Sequence, residues 1–182
     1  MIVSKRLILR ALQPADYAAW LAGYQGSLDL QNDFDESKLP DEALSLAAYQ
    51  ALCEADEKCR TGNTFNFYAF EQVTGLFVGG SQLWDIKRGD CQRAVLGFWV
   101  LNQYWGKGFG GEIARSTVRH TFQQLQLNRL EAEILPQNTA SIALCQKLGF
   151  QFEGIKKEAL RVKGKFEDHA LYAMVASQNI LP

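Results

Sequence analysis

Apolar positions along this chain recur at alternating and then at three-to-four-residue spacing, and the switches between the two periods mark out its elements. Residues 6–12, Arg-Leu-Ile-Leu-Arg-Ala-Leu, predict a first strand. Residues 14–24 predict a helix: Pro14 suits a first turn, and Tyr17, Trp20, Leu21 and Tyr24 share one face. Residues 29–40 read as an acidic loop. Asp41 reads as the N-cap of a second helix with Leu44, Ala47, Ala48, Ala51 and Leu52 on one side. The period then changes. Residues 64–71, 75–85 and 91–101 predict three strands whose short links imply an antiparallel meander. From Glu112, residues Ile113, Val118, Phe122 and Leu125 return to helical spacing. Residues 129–135 predict a further strand. Asn138 opens a short helix, with Gly149 after its last apolar residue, Leu148, as the C-cap. Residues 150–159 and 168–175 close the chain as two strands. This order predicts a mixed α/β fold in one domain over residues 1–182, with no repeat or interdomain linker.

Composition narrows the function classes. A chain of 182 residues with 47% apolar residues can build a core and is not a disordered chain. A net charge of -1 and a pI of about 6.1 argue against a nucleic-acid partner. No apolar run approaches the ~20 residues needed to cross a bilayer, so no membrane partner is expected. Residues 1–10 carry Lys5, Arg6 and Arg10 among their apolar positions, unlike a signal peptide, and a cytoplasmic location is the expectation. Cys53, Cys59, Cys91 and Cys145 form no CxxC pair, and His120 and His169 stand far apart. Neither a metal site nor a disulfide is expected.

The chemistry concentrates in Tyr104-Trp105-Gly106-Lys107-Gly108-Phe109-Gly110-Gly111-Glu112, which joins a predicted strand to a predicted helix. Glycine lets backbone N–H groups approach a ligand, and a helix N-terminus adds unpaired donors and partial positive charge. The pattern suits an anionic phosphate, with Lys107 as an added charge. A flexible capping turn is the plainer alternative. No Walker A loop occurs. Gly106, Gly108 and Gly111 satisfy GxGxxG, and Glu131 lies near the spacing of a ribose-binding acid. Residues 102–105, however, separate the strand from the first glycine, and an antiparallel meander is the wrong neighbour for a doubly wound sheet. NAD binding is the weaker alternative.

Residues 96–112 resemble motif A of the GNAT superfamily of N-acetyltransferases, of form Q/R-x-x-G-x-G/A. Trp105 stands here where Gln or Arg is usual. The Trp-Gly-Lys-Gly form is similar to the Rim-type branch, which includes ribosomal-protein N-terminal acetyltransferases. Asn138-Thr139-Ala140-Ser141, followed by Lys147-Leu148-Gly149-Phe150, resembles the family's second CoA-side motif. The opening Arg6-Leu7-Ile8-Leu9-Arg10 and the ending with Gly164, Asp168 and Tyr172 are also similar, so the resemblance spans nearly the whole chain. It implies a GNAT-like fold: a mixed, mostly antiparallel twisted sheet of about seven strands flanked by about four helices. It implies acetyl-CoA as co-substrate, no metal, and direct transfer to a primary amine, either a protein N-terminus or a small amine. A homodimer is among the assemblies it implies. Lys107, Gly108, Phe109, Gly110 and Gly111 would hold the pyrophosphate, with Gly106 also among the CoA-binding residues. Asn138 and Ser141 would lie beside the pantetheine and phosphate arms. Backbone groups of Trp99, Val100 and Leu101 would pair with pantetheine and polarise the thioester carbonyl, where negative charge develops.

Two positions depart from the pattern. Many members place a Tyr acid where this chain has Cys145. A thiol of ordinary pKa, about 8.5, could protonate the leaving thiolate, and burial in the core is the simpler role. A base often found two residues before Gly97 is replaced by Val95, leaving Asp85, Glu71 or a water chain. Tyr172 and Asp168 suit structural and functional roles alike, and His120 is mid-helix. The acidic segment, with Asp29, Asp33, Asp35, Glu36, Asp41 and Glu42 against Lys38, would favour a cationic acceptor or simply be solvated. A non-catalytic acyl-CoA-binding module remains a further alternative.

Overall fold

The computed structural model describes residues 1–60 and 62–178, which form two compact units. Hydrogen-bonded strands run in the order β1-β2-β3-β4-β5-β6-β8-β7, eight strands among the described residues. The β5–β6 pair is parallel, so the sheet is mixed.

The first unit comprises Met1–Leu83 and Phe98–Thr117. It contains β1 (Ile2–Val3), β2 (Leu7–Arg10), α1 (Tyr17–Gln25), α2 (Leu46–Arg60), β3 (Phe65–Glu71), most of β4 (Phe77–Lys87), the end of β5 (Arg93–Val100) and the start of α3 (Phe109–Gln123). β1 is the strand beyond the seven expected; two residues are too few to display a period. Pro14 opens a 3-10 turn, Pro14–Asp16, that leads into α1, as its fixed φ favours. Trp20, Tyr49, Tyr68, Phe70, Phe77 and Leu101 pack into one buried cluster, with ring centroids of Trp20 and Tyr49 5.1 Å apart. Two expectations are corrected here. Asp41 does not cap α2: it begins a separate 3-10 turn, Asp41–Leu44, and Ser45 Oγ instead accepts from the Ala48 N–H at 3.2 Å. The inward face of α2 is Tyr49, Leu52, Cys53 and Asp56, while Ala47 and Ala51 are exposed. Alanine carries too little apolar area to decide which face a helix buries; one aromatic outweighs it.

The second unit comprises Trp84–Gly97 and the described residues from Val118 onward. It holds the end of β4, the start of β5, the end of α3, β6 (Arg129–Ile134), α4 (Thr139–Leu148), β7 (Gln151–Val162) and β8 (Lys165–Val175). β6 and β7 each pair antiparallel with β8. Glu131, buried on β6, accepts from Arg93 at 3.0 Å and from Arg129 at 2.6 Å, and Arg129 also pairs with Glu153. The buried Glu131 carboxylate is therefore paired on both oxygens.

The acidic loop is anchored, not merely solvated. Asp35 is buried and accepts from Gln31 N, Ser37 N and, at 2.9 Å, Asn102 Nδ2. Asn102 N donates to Ser37 Oγ, and the Asn102 amide also bonds Leu28 on both its N–H and C=O. Burial opposes the Asp35 charge, but these hydrogen bonds win and hold its carboxyl below the usual range. A depressed folded pKa contributes stability above the unfolded value, about 3.9, and that stability is lost as pH falls through the folded value. Asn102→Ala removes one support and leaves buried loop groups unpaired. It should destabilise the protein by about 2–3 kcal/mol, and the stability lost between pH 7 and pH 3 should be smaller than in wild type, because Asp35 then titrates closer to its unfolded value. Denaturant unfolding from pH 3 to 7 checks both; an unchanged acid limb would mean Asp35 does not carry the effect.

Candidate functional site

The glycine turn owes its sequence to backbone conformation. Gly106 and Gly108 have φ of +74° and +80°, where a Cβ is strained. Space is not the reason: a Cβ at Gly106 would meet nothing within 4 Å, and at Gly108 only Arg6 Nη2 at 3.6 Å. α3 begins at Phe109, three residues earlier than expected, because Glu112 N already donates to Gly108 C=O at 3.2 Å. The N–H groups of Phe109, Gly110 and Gly111 therefore precede the helix's own ladder. Gly110 and Gly111 are ordinary helical positions, where glycine costs about 1 kcal/mol relative to alanine. The turn geometry does not account for them.

Several side chains fix this helix start. Phe109 is buried edge-on against Tyr104, ring centroids 6.1 Å apart, and the exposed Lys107 places Nζ 5.1 Å from the Tyr104 ring. Trp105, at the position usually Gln or Arg, donates its indole N–H to Val100 C=O at 2.7 Å and so ties the turn to the end of β5. Glu112 accepts from Ser4 Oγ, Arg6 N and Arg6 Nε, each at 2.7 Å. Burial opposes its charge, but these bonds keep its carboxyl below the usual range. The Arg6 guanidinium also donates to Lys107 C=O at 3.0 Å and lies 4.3 Å from the Phe109 ring. The sequence pattern assigns Arg6 no role at this turn. The signal it leaves unread is a first-strand arginine matched by a carboxylate at Glu112.

The end of β5 is shaped by β4. The β3–β4 register skips Val78, pairing Ala69 with Gly79 but Phe70 with Phe77. Val78 C=O accepts the Leu101 N–H at 3.0 Å. Gly79 has φ +146°, and a Cβ there would stand 2.3 Å from Trp99 C=O. Only glycine permits that approach. Of the three backbone positions expected to meet pantetheine, the Leu101 N–H and the Val100 C=O are thus already engaged. β5 pairs with β6 only from Arg93↔Arg129 to Val95↔Glu131.

In the second unit, Asn138 caps α4 as expected, its side chain accepting from Ser141 N at 3.1 Å, and Gly149 closes the helix at φ +100°. Cys145 and Leu148 are buried and Ile142 half-buried. Burial pushes the Cys145 thiol up to about 12. A thiol that holds its proton so tightly is a poorer acid than a solvated one. Val95 is buried and apolar. Asp85 is paired with Arg93 at 2.7 Å, and Glu71 accepts from Thr74 at 2.5 Å. Tyr172 packs against Phe152, Asp168 pairs with Lys157, and burial lowers the His120 pKa. Glu131, the ribose acid of the dinucleotide alternative, is buried among arginines. Among the described residues no helix is long and apolar enough to cross a membrane, and no cluster of His, Cys, Asp or Glu could hold a metal ion.

Known proteins resemble this chain over most of its length. The protein named "Probable N-acetyltransferase YjcK" of Bacillus subtilis is 27% identical over 175 residues, covering 96% of this chain and 97% of that one. The ribosomal protein uS5-alanine N-acetyltransferase of Escherichia coli is 28% identical over 115 residues, 63% of this chain and 59% of that relative. The structure of Mycobacterium smegmatis RimJ in complex with CoA-disulfide superposes with a TM-score of 0.78 at 26% identity, over 94% of this chain and 82% of that one. The acetyltransferase (GNAT) domain family matches residues 6–151, and the chain belongs to that family of acetyltransferases.

Proposed function

We propose that this protein moves the acetyl group of acetyl-CoA directly onto a primary amine, with a protein N-terminus of the ribosomal type as the acceptor and a small amine as the alternative. One observation carries the reading: three N–H groups, on Phe109, Gly110 and Gly111, precede the ladder of α3 behind two left-handed glycines. A pyrophosphate suits that arrangement, because donors and partial positive charge coincide there. The relatives support it, one as a uS5-alanine N-acetyltransferase and one as a RimJ bound to CoA-disulfide. Gly106, Lys107 and Gly108 complete the turn, Asn138 and Ser141 are the proposed contacts on α4, and Trp99, Val100 and Leu101 supply the strand for pantetheine. A cytoplasmic setting, where acetyl-CoA is made and used, fits the reading.

In this reaction the amine lone pair attacks the thioester carbon, and fixed N–H donors stabilise the oxyanion. The C–S bond then breaks and the thiolate takes a proton. Cys145 would deliver that proton uphill, from a pKa of about 12 to an ordinary thiol near 8.5, so the better source is the proton that the attacking nitrogen sheds, relayed through water.

Three outcomes are expected. CoA should raise the melting temperature and NAD should not, since a ligand at 100 times its Kd adds about 2.7 kcal/mol. A shift with NAD alone would contradict the reading. Gly110→Asp should leave folding intact, an acidic residue suiting a first helical turn, while weakening CoA binding by about tenfold or more. Lys107→Ala should change affinity by no more than about 1 kcal/mol, and Gly108→Ala should cost about 1 kcal/mol of folding stability through its φ. Calorimetry showing Lys107 as the larger loss would remove the backbone cradle. Cys145→Ala should cost about 1–2 kcal/mol of stability with kcat per folded molecule unchanged. A large drop in kcat at constant KM would restore the thiol as the acid.

A further inference from the structure

Within the first unit lies a buried polar cluster that the transfer chemistry above does not use. Asp56, on the inner face of α2, is only 4% exposed. Asn66 Nδ2 donates to its Oδ1 at 2.6 Å, and Asn66 is itself oriented by Gln82 Nε2, which donates to Asn66 Oδ1 at 2.7 Å. Asp56 Oδ2 is buried without a hydrogen-bond partner. The Tyr68 hydroxyl interacts with the carboxyl and favours its charged form, without completing a well-formed hydrogen bond to Oδ2. A half-satisfied buried carboxylate is costly, so its retention asks for an explanation.

The surroundings point to a ligand. Tyr68 on β3 pairs with Gly80 on β4, and a Cβ at Gly80 would stand 2.7 Å from the Trp99 ring. Gly80 therefore clears the floor on which Trp99 lies, edge-on to Tyr68 with ring centroids 6.0 Å apart. The Trp99 indole N–H is also buried and makes no well-formed hydrogen bond; the Tyr24 hydroxyl is the polar group it interacts with. The under-satisfied acceptor Asp56 Oδ2 thus lies beside Tyr68, and the under-satisfied Trp99 donor lies between Tyr68 and Tyr24 in the aromatic row. Its middle member, Trp99, lies on the strand proposed for pantetheine. Aromatic faces beside a carboxylate are the chemistry that holds an alkylammonium.

We propose that Asp56 Oδ2 receives the acceptor's primary ammonium and takes its proton, so that Asp56 is the base missing at Val95. The assignment rests on the acetyl-CoA reading above. The ammonium gives one proton to Asp56, and the freed lone pair attacks the thioester carbon. The C–N bond forms and the C–S bond breaks. The nitrogen loses its second proton to water, from which the CoA thiolate takes one, and Asp56 returns its proton to solvent. Burial holds the Asp56 carboxyl above the usual carboxylate range, which favours a base working near neutral pH. The charged or titratable groups facing it are Arg60 and Cys53 on α2 and Tyr68 on β3.

The test compares wild type with Asp56→Asn, using the best primary amine from a peptide and polyamine panel. At pH 7, kcat/KM should fall by about 100-fold or more, the usual worth of a positioned base. The deficit should shrink as pH approaches the amine's own pKa, where solution supplies the neutral form. CoA affinity by calorimetry should be unchanged. Tyr68→Phe, which keeps the ring and removes the hydroxyl that favours the charged carboxylate, should move the acid limb of kcat/KM upward; this readout holds even if Asp56→Asn folds poorly. A deficit equal at every pH, no deficit, or an unmoved limb in Tyr68→Phe would overturn the role of Asp56. Wild type that binds no CoA would instead overturn the acetyl-CoA reading itself.

Discussion

Glu112 takes three donors from two residues, Ser4 Oγ, Arg6 N and Arg6 Nε, onto its two oxygens. It does so one turn inside α3, and the same Arg6 guanidinium reaches back to the carbonyl of Lys107. Hydrogen bonds to charged groups contribute about 1.5–3 kcal/mol each, and half-burial here limits solvent screening. The clamp sets where α3 starts. Once that start is fixed at Phe109, the three N–H groups ahead of the ladder have a defined direction. A lone flexible turn could offer the same donors only after losing conformational entropy on binding.

The neighbouring strand is held by a comparable device. The skipped Val78 and the side-chain-free Gly79 let β4 backbone come against Trp99 and Val100, and the Trp105 indole closes the other side. Backbone amides are useful to a developing oxyanion only if they do not reorganise during reaction. The packing gives that rigidity through hydrogen bonds with no titratable partner. The second unit stabilises its own strands differently, with Glu131 and Glu133 set among Arg93, Arg129 and Lys156.

Much of this is legible in the amino-acid sequence. Asn138 as cap, Gly149 as left-handed stop, and the turn at 106–111 follow from local chemistry, because each depends on residues within one helical turn. What the sequence hides is long-range. Arg6 and Glu112 are 106 positions apart, and Asn102 meets Asp35 across 67. No periodicity marks such pairs. β1 is too short to show a period, and α2 hides its inner face behind alanines. Asp56 resembles one more acidic residue of a solvated helix until β3 places Asn66 and Tyr68 against it. Its spacing from Tyr49, Leu52 and Cys53 is the one local sign that it faces inward.

The central claim is that the first turn of α3 grips a pyrophosphate through its backbone. An amide-resolved NMR titration with CoA tests it most directly. The amide resonances of Phe109, Gly110 and Gly111 should show the largest shifts, moving together with one dissociation constant. Shifts confined to residues away from 106–112, with those three amides unmoved at saturating CoA, would contradict the account.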